Sequence, residues 1–346
     1  MQRPDLHGVP PDVLSYIEYL EKQILDSQSI SERKPRPQAE NPLPEVQLYA
    51  EPPTRQVLIT ASEKGFAKRT YRHLYVPQHR GGMGIFDIET PENDLPRTLL
   101  SVEAEKNILV FTDRARVFRL PASRISETEI RSKGQNLFDR MPLEPDENLA
   151  AILPEQAQGY VALLSQLGKL RILRHHMFGE HMRPGTAMYN FKEFGPLASV
   201  CWTNGDRDLF VATRKGIGIR FPEKAVSPQN EFVIKLTGDD KTVAVTPVDD
   251  DSAVFILGSD GKGAIRLMSG FAANKSPGGS GKIAIKNDQV IGAISVEANE
   301  YIFAISRQSK MIRFPVDEVI RTEGVVQGVI CVNLRSDEVV AMAKSG

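Results

Sequence analysis

The chain has 346 residues, 41% of them hydrophobic, and its 43 Lys and Arg against 44 Asp and Glu give a formal net charge of −1. That length can bury a sizeable core, and the near-neutral balance taken alone argues against a nucleic-acid partner. Two cysteines, Cys201 and Cys331, in apolar strand-like surroundings exclude a disulfide framework and predict buried, inert thiols in a reducing compartment. No run approaches the ~18 apolar residues of a membrane span and no signal-peptide core opens the chain, so a soluble, cytoplasmic protein without a membrane partner is expected.

Residues 1–30 begin with Pro10-Pro11-Asp12 and then place Val13, Ile17, Leu20 and Ile24 along one seam, predicting a single short amphipathic α-helix. A helix of this length is marginal alone in water. It is expected to pack either on its copy in a second chain, making a homodimer, or on the main domain, and both readings stay open. Tyr16 and Tyr19 on this helix read as structural. Residues 31–56 carry Pro35, Pro37, Pro42, Pro44, Pro52 and Pro53 among polar neighbours, which reads as an extended linker with no core of its own.

Residues 57–346 repeat one phrase six times: an apolar run, a polar or glycine turn, then a basic residue among hydrophobic ones. The runs are Val57–Thr60, Ile108–Phe111, Val161–Leu164, Leu209–Ala212, Val254–Leu257 and Ile302–Ile305. The basic residues that follow are Lys68 and Arg69, Arg119, Arg171, Arg220, Arg266 and Arg313. Short runs rich in Val, Ile, Leu and Phe and bounded by turn residues are strands rather than helices. Being apolar on both faces, they suit central strands between neighbouring blades. Weaker strands are expected at Ala284–Lys286 and Val329–Val332. A unit of ~50 residues cannot bury its own apolar face, so the units stack, and six units of about four strands close into a ring with no exposed edge.

Charge follows the repeat. Residues 57–84 hold five Lys and Arg (Lys64, Lys68, Arg69, Arg72, Arg80) against Glu63, a balance of +4, and residues 85–110 hold six acids against Arg97 and Lys106, a balance of −4. Residues 160–192 and 254–286 are again +4 each, five cations against one acid. Equivalent positions fall at equivalent places in a ring, so the expected result is a basic belt suited to a bent polyanion. His175, His176 and His181 cluster beside Arg174 and Arg183 in the third unit and read as polar residues facing phosphate rather than as a metal site.

The heptapeptide Gln78-His79-Arg80-Gly81-Gly82-Met83-Gly84 lies in the first unit. Three glycines permit positive φ and close backbone approach to a phosphate, with Arg80 supplying charge. With Gly65-Phe66-Ala67-Lys68-Arg69-Thr70, Pro142–Glu147, Ala151–Pro154 and Gln327–Ile330, it makes residues 46–346 resemble the carboxy-terminal DNA-wrapping domains of bacterial DNA gyrase and topoisomerase IV A subunits. The heptapeptide is similar to the box of pattern Gln-Arg-Arg-Gly-Gly-Lys-Gly that gyrase subunits carry in blade one. His79 and Met83 replace two of its cations.

The resemblance implies an all-β, six-bladed β-pinwheel over 57–346, preceded by the helix and linker. It implies non-sequence-specific binding, bending and wrapping of double-stranded DNA around the rim. The residues expected to carry this are Lys68, Arg69, Arg72, Gln78, His79, Arg80, Gly81, Gly82, Gly84, Arg119, Arg124, Arg171, Arg174, Arg183, Arg220, Lys224, Arg266, Lys275 and Arg313. No cofactor or metal is expected, and gyrase or topoisomerase IV subunits are the partners the resemblance implies, in a nucleoid-associated setting. The ~50 residues before the pinwheel are too few for a DNA-cleavage apparatus, so a freestanding, non-enzymatic wrapping domain is expected. Two alternatives are a protein-interaction propeller docking a topoisomerase or chromosome-organising partner, and a cleaving topoisomerase subunit.

Overall fold

A computed structural model describes Val13, Ile17 and residues 50–345, except 138–139, 228–230 and 273–275. The chain forms two compact units, 1–44 and 45–346. Val13 and Ile17 are helical. Otherwise the expected N-terminal helix with Tyr16 and Tyr19, its self-association and most of the linker lie outside the described residues.

Each apolar run becomes the first strand of a hairpin. The six hairpins pair Gln56–Ser62 with Phe66–Tyr71, Asn107–Thr112 with Arg116–Pro121, Tyr160–Ser165 with Lys169–Arg174, Asp208–Thr213 with Ile217–Pro222, Ala253–Gly258 with Lys262–Leu267, and Tyr301–Ser306 with Lys310–Pro315. The turns form because a residue with positive φ recurs at one position, supplied by Gly65, Gly168, Gly216 and Gly261 and, at the cost of a left-handed L-residue, by Ala115 and Ser309. In five hairpins a Ser or Thr hydroxyl at the end of the first strand accepts the N–H four residues on, as Ser62 does from Phe66 (2.9 Å) and Thr213 from Ile217 (3.2 Å). Pro121, Pro222 and Pro315, which cannot donate to the ladder, end three of the second strands, and a 3₁₀ turn follows every one.

A third strand lies inside each first strand: Pro96–Glu103, Leu149–Pro154, Leu197–Thr203, Thr242–Val248, Val290–Val296 and Val339–Ser345. These inner strands touch one another in sequence and the last touches the first, closing a ring of six blades around a passage of about 1190 Å³. The first hairpin strands, covered on both sides, are buried almost throughout, and their side chains fill six apolar clusters in and between the blades.

The fourth strand of every blade is borrowed. Gln135–Asn136, Thr186–Ala187, Glu231–Phe232, Lys282–Ile283 and Val329–Ile330 each lie in the connector of the following unit and pair with the second hairpin strand of the blade before it. Ile85–Phe86, from the first connector, pairs with Lys310–Met311 and closes the ring onto blade 6. The expected strand at Ala284–Lys286 therefore lies two residues earlier, at Lys282–Ile283. The outer edges do not vanish on closure, contrary to expectation. They are left two residues long, one of the ways proteins blunt an exposed strand edge.

Candidate functional site

The glycine-rich loop sits on the seam between blades 1 and 6. Gln78 N–H donates to Arg313 O (2.8 Å), and His79 Nδ1 meets Glu318 Oε1 at 2.6 Å. Arg80 donates from its backbone N–H to Glu318 Oε2 (2.6 Å), from Nε to Glu318 O (2.9 Å) and from Nη1 to Ile330 O (3.1 Å). Gly81 N–H donates to Cys331 O and Gly82 N–H to His79 O, while Asn333 N–H donates to Gly82 O. The Gly81 and Gly82 amides, expected to approach a phosphate, are both engaged by the protein itself. The glycines serve close backbone packing instead. At Gly84, with φ +70°, a Cβ would stand 2.6 Å from Met311 O.

Just beyond the closing strand, Asp87 anchors the first connector, which straps across to blade 6, in blade 1. Its carboxylate accepts from Tyr75 Oη (2.6 Å) and Thr60 Oγ1 (2.8 Å) and pairs with Lys68 Nζ (2.7 Å). Lys68 and Asp87 are both fully buried, and Lys68 Nζ also donates to the carbonyls of Asp87 and Glu129. Burial holds the Lys68 ammonium below its ordinary value although Asp87 opposes this, and burial beside the same carboxylate pushes the Tyr75 phenol well up. On the same seam Glu51 bridges Arg72 of blade 1 and Arg313 of blade 6, the latter at 2.8 Å. Glu51 lies in the stretch expected to be a linker, and the first strand already begins at Gln56. The stretch thus contributes to the ring.

The basic residue of most repeats, the centre of the expected belt, is buried, and Arg119 and Arg171 are half-buried. Lys68, Arg220, Arg266 and Arg313 are 0, 3, 1 and 3% exposed, and Arg69 is buried as well. Most of these arginines latch a blade to the 3₁₀ turn or connector that follows the next hairpin. Arg69 Nε donates to Ile125 O (3.2 Å), and Arg220 Nη1 to Met268 O (3.1 Å) while the guanidinium also pairs with Asp208 and Asp250. Arg266 donates to Ala284 O and Glu323 O, and Arg313 to Tyr75 O (3.1 Å), the step that joins blade 6 to blade 1. Arg171 donates to Met188 O (2.6 Å), and Arg119 pairs with Glu155 (2.8 Å) and Glu180, which raises its already high value. Arg72 is half-buried against Glu51. A guanidinium reading several carbonyls in a buried site is structural, because taking it away leaves those carbonyls unsatisfied.

Nor do these residues share one register. Arg69, Arg119, Arg220 and Arg313 occupy equivalent positions, opposite Ile59, Leu109, Phe210 and Phe303. In blades 3 and 5 that position is Ile172 and Ile265, and Arg171 and Arg266 stand one residue to either side. A shift of one residue in a strand sends the side chain to the other face.

Part of the exposed positive charge lies on the connectors, which supply the outermost strands, and part on the hairpin turns, as at Lys64, Lys215 and Arg307. Of the residues singled out in the sequence, Arg124, Arg183 and Lys224 are exposed on the connectors, Arg174 is exposed at the end of its hairpin strand, and His79 is exposed beside the half-buried Gln78 and Arg80. Lys275 lies outside the described residues. Sequence reasoning passed over Arg131, Lys133, Arg140, Lys235 and Arg335 and counted Lys192 and Lys286 only in the charge balance; all are exposed on the same connectors. The signal available was their place next to short glycine-flanked strands rather than next to the long apolar runs. His175 and His176 pack edge to face at 6.0 Å, and among the described residues no group of three His, Cys, Asp or Glu could hold a metal ion. Cys331 is buried, with its thiol pushed up to about 12; Cys201 lines the central passage with its thiol also pushed up, by burial first. No helix among the described residues is long and apolar enough to cross a membrane.

A family model described as the DNA gyrase C-terminal domain, beta-propeller, matches residues 56–98, 106–154, 207–249 and 300–344. These are units 1, 2, 4 and 6, the four whose arginine keeps the common register; units 3 and 5, where it is displaced, are unmatched. Among curated proteins, the DNA gyrase A subunit of Halalkalibacterium halodurans is 32% identical over 177 residues, 50% of this chain and 21% of that protein. The DNA gyrase A subunit of Clostridium acetobutylicum is 29% identical over 53% of the chain and 22% of its own length, and that of Staphylococcus epidermidis 24% over 84% and 34%. The chain thus spans about a fifth to a third of the length of these relatives. A solved DNA gyrase A C-terminal domain superposes with a TM-score of 0.73 at 20% identity, covering 84% of this chain and 99% of that one. The C-terminal domain of a DNA topoisomerase IV does so at 0.60 and 17%, covering 84% and 93%. At these identities the likeness is one of fold.

Proposed function

Since this chain belongs to the DNA gyrase C-terminal domain, beta-propeller family, we propose that it binds double-stranded DNA without sequence preference and bends it around the outer circumference of the ring. The observation that carries this reading is the exposed Lys and Arg on successive connectors and at the strand end leading into one of them, from Arg124, Arg131 and Lys133 through Arg174, Arg183 and Lys192 to Lys224, Lys235 and Lys286. These belong to the outermost layer of successive blades, so a ligand touching several of them must follow a curve. Bending a few tens of base pairs through a large angle costs on the order of 10 kcal/mol, more than one cation can offset. Phosphate contacts spread over several blades offset it together, each releasing counterions. The protein acts in this reading on DNA topology without cleaving DNA itself, alongside the type II topoisomerase subunits of its family, in the cytoplasm at the nucleoid.

The box-like heptapeptide has a different part here. Its Arg80 and its glycines hold blade 6 to blade 1, so they keep the circumference continuous rather than supply most of its charge.

The test is duplex binding against salt by fluorescence anisotropy. The logarithm of affinity should fall steeply and linearly with log salt, and the triple variant Arg174→Ala, Arg183→Ala, Lys192→Ala should flatten the slope by roughly 0.9 for each phosphate no longer neutralised. Its thermal midpoint should stay that of the parent. Plasmid relaxed and re-closed in its presence should then show a shifted linking number. A salt-independent affinity, or an unshifted linking number at saturation, overturns the proposal.

A further inference from the structure

Around the ring one register position recurs on the outermost strands, opposite the first residue of each second hairpin strand. It is filled by Asn136, Ala187, Phe232, Ile283, Ile330 and Phe86 in blades 1 to 6. In blades 3 to 6 the side chain is bulky and apolar, yet Phe232, Ile283, Ile330 and Phe86 stand 55, 44, 54 and 41% exposed. The fold does not require this, because Asn136 and Ala187 fill the same position in blades 1 and 2. In blades 3, 5 and 6 the apolar side chain stands across from a lysine. Lys169, Lys262 and Lys310 lie directly across the strand pair from Phe232, Ile330 and Phe86, with Lys169 Nζ 5.0 Å over the Phe232 ring, whereas in blade 4 Ile217 lies across from Ile283 and Lys282 donates to Gly270 O.

Single exposed apolar residues are ordinary on a protein surface. Four at equivalent positions on consecutive blades, three of them across from a cation, describe an occupant that follows the circumference and alternates apolar with anionic contacts. Bent duplex DNA has that chemistry: base edges and sugars between regularly spaced phosphates. Apolar side chains inserted between base steps from the minor groove partly unstack them and kink the duplex. We propose that Phe232, Ile283, Ile330 and Phe86 are DNA-kinking wedges, one per blade, with the paired lysines on the flanking phosphates. This rests on the duplex-binding reading above and adds to it where the bend is concentrated.

The experiment uses the full chain, a thymine-rich duplex and potassium permanganate, which attacks thymines that have lost their stacking. The protein should produce reactive thymines at intervals repeated along the bound duplex. The quadruple variant Phe232→Ser, Ile283→Ser, Ile330→Ser, Phe86→Ser should lose them, keep its salt slope, and bend end-labelled duplex less by roughly 20° or more per wedge removed, read by energy transfer. Its thermal midpoint reports folding, and the four single variants should each lose one reactive step. Bound duplex with no reactive thymines, or a folded quadruple variant that bends DNA as the parent does, overturns the proposal. Loss of self-association in the variant with DNA behaviour unchanged would also overturn it, assigning the row to a protein contact. Absence of duplex binding by the parent at low salt instead removes the reading beneath it, an outcome distinct from binding without unstacking.

Discussion

At the scale of single residues, the least expected group is the buried quartet of Lys68, Asp87, Tyr75 and Thr60. An ammonium and a carboxylate 2.7 Å apart and out of solvent attract strongly, yet each has lost its hydration, so the pair as a whole contributes little net stability. Removing one member is another matter. Asp87→Ala leaves a buried cation and two hydroxyls without their acceptor, and a loss of roughly 3–5 kcal/mol is expected from urea unfolding. Lys68→Met combined with Asp87→Asn should recover most of it, since no buried charge then remains. Recovery would show that the cost lies in the orphaned charge, and its absence would show that the geometry of the pair matters in itself. Lys68 was legible in the sequence only as a cation of the expected belt. Its partner is 19 residues away on a strap whose path no periodicity describes.

At the scale of elements, the seam between blades 1 and 6 is tied by charge to a degree that apolar packing alone would not need. Glu51 is the carboxylate that bridges its two arginines. Burial raises its carboxyl, but hydrogen bonds and attraction from Arg72 and Arg313 prevail and hold it below its ordinary 4.5. A carboxylate depressed on folding stabilises fully above the unfolded value, and that contribution disappears as pH falls through the folded value. The seam should therefore loosen below about pH 4.5. Amide exchange at Lys310–Pro315 and Phe66–Tyr71, corrected for intrinsic rates, should quicken there relative to blade 3, and Glu51→Gln should remove most of that difference while costing about 1–3 kcal/mol at neutral pH. Equal acid sensitivity in both blades would refute the assignment. The hairpins themselves were readable beforehand, since an apolar run followed by a residue able to take positive φ can hardly be anything else in a stacked repeat. The borrowed fourth strands were not readable. Two residues such as Gln135–Asn136 or Lys282–Ile283 carry no pattern, and they become strands only because the preceding blade offers unpaired N–H and C=O groups.

At the scale of the whole molecule, closure depends on the first connector reaching the last blade. Gly84 makes that approach with φ +70° and no room for a Cβ beside the Met311 carbonyl. Gly84→Ala adds both a left-handed strain and a contact of 2.6 Å, and a cost of about 1–3 kcal/mol is expected, concentrated at one seam. Small-angle scattering should show an enlarged radius with blades 2 to 5 still protected from exchange; an unchanged radius with uniform destabilisation would refute a local opening.

Composition and repeat length by themselves determined an all-β ring of six blades and the central place of the apolar runs, because burial on two faces demands apolar residues at every position and leaves no other assignment. The rise and fall of charge along the chain was equally plain. Which cations meet solvent was decided only by the tertiary structure. A strand residue changes face with a shift of one position, and a buried arginine finds its carbonyls on a neighbouring blade some 50 residues away. Arg220 and Arg183 therefore look alike as letters, yet one holds the ring together and the other stands on its surface.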